Sequence, residues 1–167
     1  MMDSGHSARK ARLDKALELF QAAYEHQMTG ELDEAAALYL ASIELFPTAE
    51  AHTFLGWTYS YQGRLEEAIS ECRKAIEIDP EFGNPYNDIG AYLIEEQKYD
   101  EAIPWLERAL QAGRYESYHF PWFNLGRAHA ALESYTRAVE CFRQALSIDP
   151  EYGPAADALR STRLKVH

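Results

Sequence analysis

Long hydrophobic runs are missing from this sequence of 167 residues. It contains no stretch of about 18 consecutive apolar residues, which a helix needs to cross a lipid bilayer, so no transmembrane helix is expected. The first twenty residues lack the apolar core of a secretory signal peptide, and Asp3 and Asp14 argue against a transit peptide. The sequence therefore predicts a soluble, cytoplasmic protein that has no membrane partner.

Cysteine and recognisable catalytic motifs are also scarce. The two cysteines, Cys72 and Cys141, lie 69 residues apart in helical patterns, which predicts buried, reduced thiols. None of the six histidines has a metal-binding spacing such as HExxH, and no phosphate-binding glycine loop or Ser-His-Asp arrangement is present. We therefore expect no metal, no other cofactor, no catalytic residue and no enzymatic activity.

Basic residues are outnumbered, with 16 Lys and Arg against 27 Asp and Glu, and the formal net charge is −11. The excess of negative charge lies in residues 16–152, which we call the body of the chain. Residues 1–15 and residues 153–167 each sum to +2, which leaves −15 on residues 16–152. Because such a body repels a phosphate backbone, nucleic acid is excluded as a partner.

An internal repeat is what the sequence does contain. The segments AEAHTFLGWTYSYQGRLEEAISECRKAIEIDP and HFPWFNLGRAHAALESYTRAVECFRQALSIDP align almost end to end. Within each, apolar residues recur at steps of three and four on both sides of a turn, which predicts two helices that form a hairpin. The residues that recur in successive copies are a glycine (Gly56, Gly90, Gly126), a mid-repeat alanine (Ala35, Ala68, Ala102, Ala138) and a closing proline (Pro47, Pro80, Pro150).

These residues resemble the tetratricopeptide repeat, whose pattern of W-x2-L-G-x2-Y, A-x3-F, A and P extends over 34 residues. In that register we identify four copies, at 16–48, 49–82, 83–116 and 119–152. Residues 1–15 are then an N-terminal extension leading into the first helix, and residues 153–167 are a capping helix. The resemblance implies an all-α fold, a right-handed α-solenoid of antiparallel helical hairpins. The residues expected to pack as the cap are Ala155, Ala158, Leu159 and Leu164.

Glycine positions carry two structural expectations. The three mid-helix glycines each cost about 1 kcal/mol relative to alanine, so the paired helix is expected to approach closely there. The turn glycine, present as Gly30 and Gly63, is replaced by Gln97 and Glu133 in the later copies. A non-glycine residue in a left-handed turn costs about 1 kcal/mol, so these two turns are expected to be softer or differently built.

In this family the first helix of each hairpin lines a concave groove, and the resemblance implies that the groove binds a peptide or a helix of a partner. Aromatic side chains, which often serve as binding anchors, are frequent at the groove-facing positions. The predicted partner-binding residues are Phe20, Tyr24, Phe54, Trp57, Tyr61, Asn87, Asp88, Glu95, Phe123, Asn124 and Arg127. Asn87 and Asn124 are expected to pair with the backbone of an extended peptide. The alternative for any single ring is that it packs against a neighbouring helix.

One subtype of the family is excluded by the residues at its binding positions. The members that bind heat-shock chaperones clamp a C-terminal carboxylate with Lys, Asn and Arg side chains. The matching positions here hold Phe20, Tyr24, Phe54, Asn84 and Asp88 in one window, and Thr53, Trp57, Asp88, Phe120 and Asn124 in the next. Neither window offers a cation, and Asp88 repels a carboxylate. Asp88 and Glu95 instead favour a protein or peptide ligand that carries a basic residue beside its apolar anchors.

The function that follows is that of a non-enzymatic protein-protein interaction adaptor, or scaffold. The alternative is a structural protein that self-assembles through its aromatic surface or an imperfectly capped end. The chain is expected to be a monomer or a weak homo-oligomer. The aromatic connection at residues 113–121 is interpreted either as a longer loop that packs its own side chains or as a partner contact.

Overall fold

The computed structural model describes residues 3–166 of the chain. These residues form nine α-helices and no strand, and 79% of them are helical. The chain divides into two compact units, of which the first ends at Asp79 and the second begins at Pro80. The first unit holds α1 (Asp3–Met28), α2 (Leu32–Leu45), α3 (Ala49–Tyr61) and α4 (Leu65–Ile78). The second unit holds α5 (Asn84–Glu95), α6 (Tyr99–Gln111), α7 (His119–Ala131), α8 (Tyr135–Ile148) and α9 (Gly153–Arg163).

Consecutive helices pair in the first unit, α1 with α2 and α3 with α4, and α2 also contacts α3. The apolar residues that recur at three and four residue steps are the ones that become buried between them, including Ala35, Tyr39, Leu55 and Cys72. Thr48 caps the start of α3, where its hydroxyl oxygen accepts a hydrogen bond of 3.1 Å from the Ala51 amide.

All four hairpin turns use one residue in the left-handed conformation. Gly30 and Gly63 have φ of 84° and 76°, while Gln97 and Glu133 adopt φ of 62° and 60°. The later turns therefore keep the same backbone conformation and bear the steric cost of a side chain there. Of the two predicted outcomes, a different turn geometry is wrong, because the tight connection requires a left-handed residue whatever its side chain.

The mid-helix glycines lie where a paired helix approaches closely, as predicted. A Cβ atom at Gly56 would lie 2.9 Å from the Ala68 carbonyl oxygen, and one at Gly126 would overlap the ring of Phe142. At Gly90 an added Cβ would overlap the Leu106 side chain. The absence of a side chain at these positions is thus what allows the helices of each hairpin to pack.

The second unit pairs α5 with α6 and α7 with α8, and a connection after α6 is tied to the segment before α5. The Arg114 amide donates to the Glu81 carbonyl oxygen at 2.8 Å, and the Gly83 amide donates to the Arg114 carbonyl oxygen at 3.1 Å. Tyr115 packs over Gly83 and contacts the Tyr118 ring at 5.2 Å. These contacts favour the interpretation of the connection as a loop that packs its own aromatic side chains.

Helix α9 closes the second unit by packing on α8 and α7. Ala155 is fully buried, whereas Leu164 is 82% exposed. The expectation that Leu164 belongs to the packed face of the cap is therefore wrong, because Leu164 follows Arg163, the last residue of α9, and its side chain lies in solvent. Cys72 and Cys141 are both buried and neither forms a disulfide, as predicted.

Candidate functional site

The first unit carries an aromatic surface made by two helices that contact each other. Phe20 and Tyr24 are four residues apart on α1, and Phe54, Trp57 and Tyr61 are separated by three and four residues on α3. Residues at these spacings lie on one face of a helix, and α1 contacts α3. All five of these predicted site residues are therefore brought together, and we call this set the aromatic surface.

Phe54 is the centre of the aromatic surface. Its ring centroid lies 5.3 Å from Phe20, 5.9 Å from Tyr24 and 5.7 Å from Trp57, each in an edge-to-face arrangement. Trp57 continues the row to Tyr61 at 5.6 Å. Tyr61 is 61% exposed, while the other four rings are half-buried. The row thus passes from rings that pack on each other to a ring that solvent reaches.

A buried tyrosine supports the aromatic surface from beneath. The Tyr39 ring lies 5.5 Å from Phe20 and 6.2 Å from Phe54, and burial raises the pKa of its hydroxyl. That hydroxyl donates to Gln27 Oε1 at 2.7 Å. Gln27 Nε2 is buried and has no hydrogen-bond partner among residues 3–166. The rings above are therefore fixed by contact with a fully buried, hydrogen-bonded side chain.

A cavity beside the start of α1 was not predicted from the sequence. It has a volume of about 210 Å3 and is lined by His6, Arg9, Lys10, Leu13 and Phe46. The Arg9 guanidinium lies over the Phe46 ring, 5.6 Å from its centroid. The signal that could have found this cavity is the spacing of Leu13, seven residues before Phe20, which places both on one face of α1.

The second unit holds a polar row in place of rings. Asn124 Nδ2 donates to Asn87 Oδ1 at 3.0 Å, and an Arg127 amine donates to Asn124 Oδ1 at 3.0 Å. Both asparagines are buried, whereas Arg127 is exposed. Their amides were expected to pair with a peptide backbone, but in this structure they pair with each other.

Asp88 lies next to the polar row and is half-buried. Burial raises the pKa of its carboxyl from 3.8 to about 7, and a hydrogen bond with Asn87 opposes that rise. The carboxyl is therefore only partly ionised near neutral pH, which weakens the repulsion expected from it. Glu95, at the end of α5, is exposed.

Phe123 is drawn partly into the packing of the second unit. Its ring lies 5.8 Å from Phe142 and 5.3 Å from Tyr152, and the Arg127 guanidinium is 5.9 Å from its centroid. Phe142 is fully buried, so at least one edge of Phe123 serves the core. The six predicted site residues of this unit thus include several that already have partners.

Two general features of the described residues bear on the site. Within residues 3–166, no three His, Cys, Asp or Glu side chains are grouped as metal ligands. None of the helices in that range is both long enough and apolar enough to cross a bilayer.

Comparisons with known proteins show that this chain is similar to proteins built from tetratricopeptide repeats. Two models, each described as Tetratricopeptide repeat, match residues 49–82 and 82–151. The tetratricopeptide repeat-containing protein trd-1 of Caenorhabditis elegans is 23% identical over 84% of this chain and 17% of its own length. The type IV pilus assembly protein PilF of Pseudomonas aeruginosa is 26% identical over 72% of this chain and 48% of its own length. The chain thus spans less than half of these two curated relatives.

Solved structures extend the comparison to the fold. A structure of Pseudomonas aeruginosa PilF superposes with a TM-score of 0.87 at 23% identity, covering 93% of this chain and 70% of that one. The first TPR of Spaghetti (RPAP3), bound to the HSP90 peptide SRMEEVD, gives a TM-score of 0.65 at 23% identity and covers 70% of this chain and 90% of that one. The predicted fold class, an all-α solenoid of tetratricopeptide repeats, is confirmed.

Proposed function

The chain belongs to the tetratricopeptide repeat family, and on this premise we propose that it is a non-enzymatic adaptor that binds a peptide or a helix of a partner protein. The observation that carries the proposal is the aromatic surface of the first unit. Its rings are held in a fixed row by mutual contacts, so binding orders few side chains and loses little conformational entropy. The fold as such supports a protein-interaction role, since the first TPR of Spaghetti (RPAP3) is bound to a peptide.

Trp57 is the principal anchor in this proposal. It is half-buried and makes edge contact with Phe54, which leaves part of a large apolar ring available beside the exposed Tyr61. Truncation of an aromatic anchor at an interface commonly costs about 2 kcal/mol or more. Phe20, Tyr24 and Phe54 complete the apolar side of the site.

The second unit carries predicted contacts of its own, and they are polar. Asn87, Asn124 and Arg127 form a bonded row in which Arg127 is the exposed member, so Arg127 is the group that meets a ligand most directly. Glu95 is exposed and supplies the attraction for a basic residue of a ligand, while Asp88 adds less because its carboxyl is only partly ionised near neutral pH. Glu95 also repels a free C-terminal carboxylate, so we do not expect a ligand of the chaperone-tail type here. A location in the cytoplasm stays a prediction of the sequence.

Selection of peptides on the whole chain tests the proposal. A displayed library of random 12-residue peptides is panned on the wild-type chain, and the recovered peptides are synthesised and titrated by calorimetry. We expect Trp57→Ala to weaken them at least tenfold. The matched control is Leu164→Ala, which removes an exposed apolar side chain from the end of the second unit and should leave the affinity unchanged. Recovery of no peptide that depends on Trp57 contradicts the proposed function.

Self-assembly is the second candidate, and one observation favours it. Leu159 and Leu164 line a cavity of about 440 Å3 together with Leu146 of α8, so the cap leaves apolar surface uncovered. Light scattering during size exclusion, over a hundredfold range of protein concentration, distinguishes the candidates. A mass that rises with concentration and is reset to the monomer by Leu159→Lys favours assembly, and a constant monomer mass excludes it.

A further inference from the structure

The first helix continues well beyond the hairpin in which it takes part. Helix α1 has 26 residues, whereas its partner α2 has 14. The side chains of His6, Lys10, Leu13, Leu17, Phe20 and Tyr24 follow one another at steps of four and three residues. Such a series lies along one face of a helix, and the contacts of Phe20 and Tyr24 with Phe54 fix the side to which that face points. The cavity at the start of α1 and the aromatic surface therefore lie along a single stripe.

The stripe changes from basic to apolar along its length. At the start, His6, Arg9 and Lys10 are exposed and line the cavity together with the apolar Leu13 and Phe46, and none of the five lining residues is a carboxylate. Residues 1–15 carry +2 in a chain whose net charge is −11. This end of α1 is thus a local exception to an acidic protein, and opposite charge is what it attracts.

The two parts of the stripe are joined by apolar side chains. Leu17 is 51% exposed although it is a large hydrophobic residue, and it lies between Leu13 and Phe20 in sequence and on the same face. The step from Leu13 to Phe20 is seven residues, or about 10 Å along the helix axis. An exposed leucine between a basic cavity and a row of rings leaves a continuous apolar path for one ligand.

We propose that the cavity at the start of α1 binds an acidic side chain of the same peptide whose apolar side chains rest on the aromatic surface. This inference rests on the proposed function, and it adds an acidic group of the ligand and the direction in which the ligand lies along α1. Lys10 lies ten residues, about 15 Å, before Phe20. An extended peptide advances about 3.3 Å per residue, so the acidic residue stands four to six residues from the apolar anchor that meets Phe20 and Phe54.

The charges at the start of α1 are exposed, so their effect on affinity is moderate and depends on salt. Rim charges of this kind act mainly on the rate of association. The expected signature is therefore a faster association with acidic peptides at low salt, which fades as the ionic strength rises. A purely apolar site has no such dependence.

The test uses the peptides selected on the wild-type chain. We expect them to be enriched in Asp or Glu at one end, four to six residues from a Leu, Phe or Trp anchor. The double variant Arg9→Glu/Lys10→Glu should weaken these peptides about tenfold in 50 mM salt and remove most of the salt dependence of association. The matched control is Arg12→Glu/Lys15→Glu, which changes the net charge by the same amount on the same helix at residues that do not line the cavity. Its effect should be less than about threefold.

The outcomes separate this inference from the proposed function. Peptides that depend on Trp57 but show no acidic enrichment, or respond equally to both double variants, overturn the inference and leave the proposed function standing. Failure to recover any peptide that depends on Trp57 overturns both. A concentration-dependent mass of the wild-type chain that Arg9→Glu/Lys10→Glu abolishes, with peptide affinity unchanged, assigns the cavity to a second copy of the chain and also overturns the inference. Circular dichroism of each variant confirms that helicity is retained.

Discussion

The two units place different chemistry at equivalent positions of the same repeat pattern. In the first unit, α1 and α3 present rings that contact one another, and solvent reaches the end of the row at Tyr61. In the second unit, α5 and α7 carry the amides of Asn87 and Asn124, which are buried and bonded to each other. A side chain at a pattern position that is expected to face the groove is therefore not always free to bind, because it can pair with another side chain of its own unit.

The largest expected effect separates two rings within the aromatic surface. Phe54 contacts four other rings, so Phe54→Ala should lower the free energy of unfolding by about 3 kcal/mol through lost burial and a cavity. Tyr61→Ala, at an exposed ring, should change it by less than about 0.5 kcal/mol. Urea unfolding followed by far-ultraviolet circular dichroism measures both. If both variants lose the same free energy of unfolding, the Tyr61 ring contributes as much to the packing as Phe54 does, which contradicts this prediction.

The carboxyl of Asp88 gives the second unit a dependence on pH. Its folded pKa, about 7, is raised above the unfolded value of 3.8, so between these values the folded state holds a proton that the unfolded state has released. Stability from this group is therefore full below about pH 4, falls as the pH rises to about 7, and stays low above it. Asp88→Asn should stabilise the chain at pH 8 by on the order of 2 kcal/mol more than at pH 4.

Urea unfolding of the wild-type chain and of Asp88→Asn between about pH 4 and pH 8 checks this prediction. The quantity compared is the difference between their free energies of unfolding at each pH. A difference that stays constant with pH contradicts a raised pKa for Asp88.

The polar row should matter more for stability than for binding. Asn124→Ala removes the acceptor for Arg127 and the donor for Asn87, and leaves the Asn87 carbonyl oxygen buried without that bond. The expected loss is about 1 to 2 kcal/mol. Arg127→Ala, which truncates the exposed member of the row, should cost less than half as much. If Asn124→Ala instead weakens peptide binding tenfold and leaves the stability unchanged, the polar row serves binding and this prediction is wrong.

The smallest expected effect concerns the turns of the second unit. Gln97→Gly relieves a side chain held at φ of 62° and should raise the free energy of unfolding by up to about 1 kcal/mol. Gln97→Ala is the control, because alanine is subject to the same strain, and should change stability little. A destabilised Gln97→Gly variant would mean that the greater freedom of glycine in the unfolded chain outweighs the strain.

Much of the fold follows from local pattern. The steps of three and four residues, the mid-helix glycines and the left-handed turns are all properties of short segments, and each has its counterpart in the helix pairs of the structure. The prediction for Leu164 is wrong because Leu164 lies beyond Arg163, the last residue of α9, where the helical spacing no longer applies.

The site was only partly predictable, and for two different physical reasons. The bond between Asn87 and Asn124 joins residues 37 positions apart, so it depends on how α5 and α7 are aligned, which spacing alone does not determine. The cavity at the start of α1 was missed because the repeat register begins at residue 16, although Leu13 and Leu17 continue the same helix face. Helix periodicity, followed beyond the repeat boundary, therefore indicates the cavity at the start of α1. It does not indicate the bond between Asn87 and Asn124.

The proposed function requires that the aromatic surface binds a partner and does not serve packing alone. The most direct test compares Trp57→Ala with the wild-type chain in two measurements, which are peptide affinity by calorimetry and thermal unfolding followed by circular dichroism. We expect the affinity of Trp57→Ala to be at least tenfold weaker, with helicity unchanged and a melting temperature within a few degrees of the wild type. If Trp57→Ala instead loses its fold while the affinity per folded molecule stays the same, the ring is structural and the proposed function is wrong.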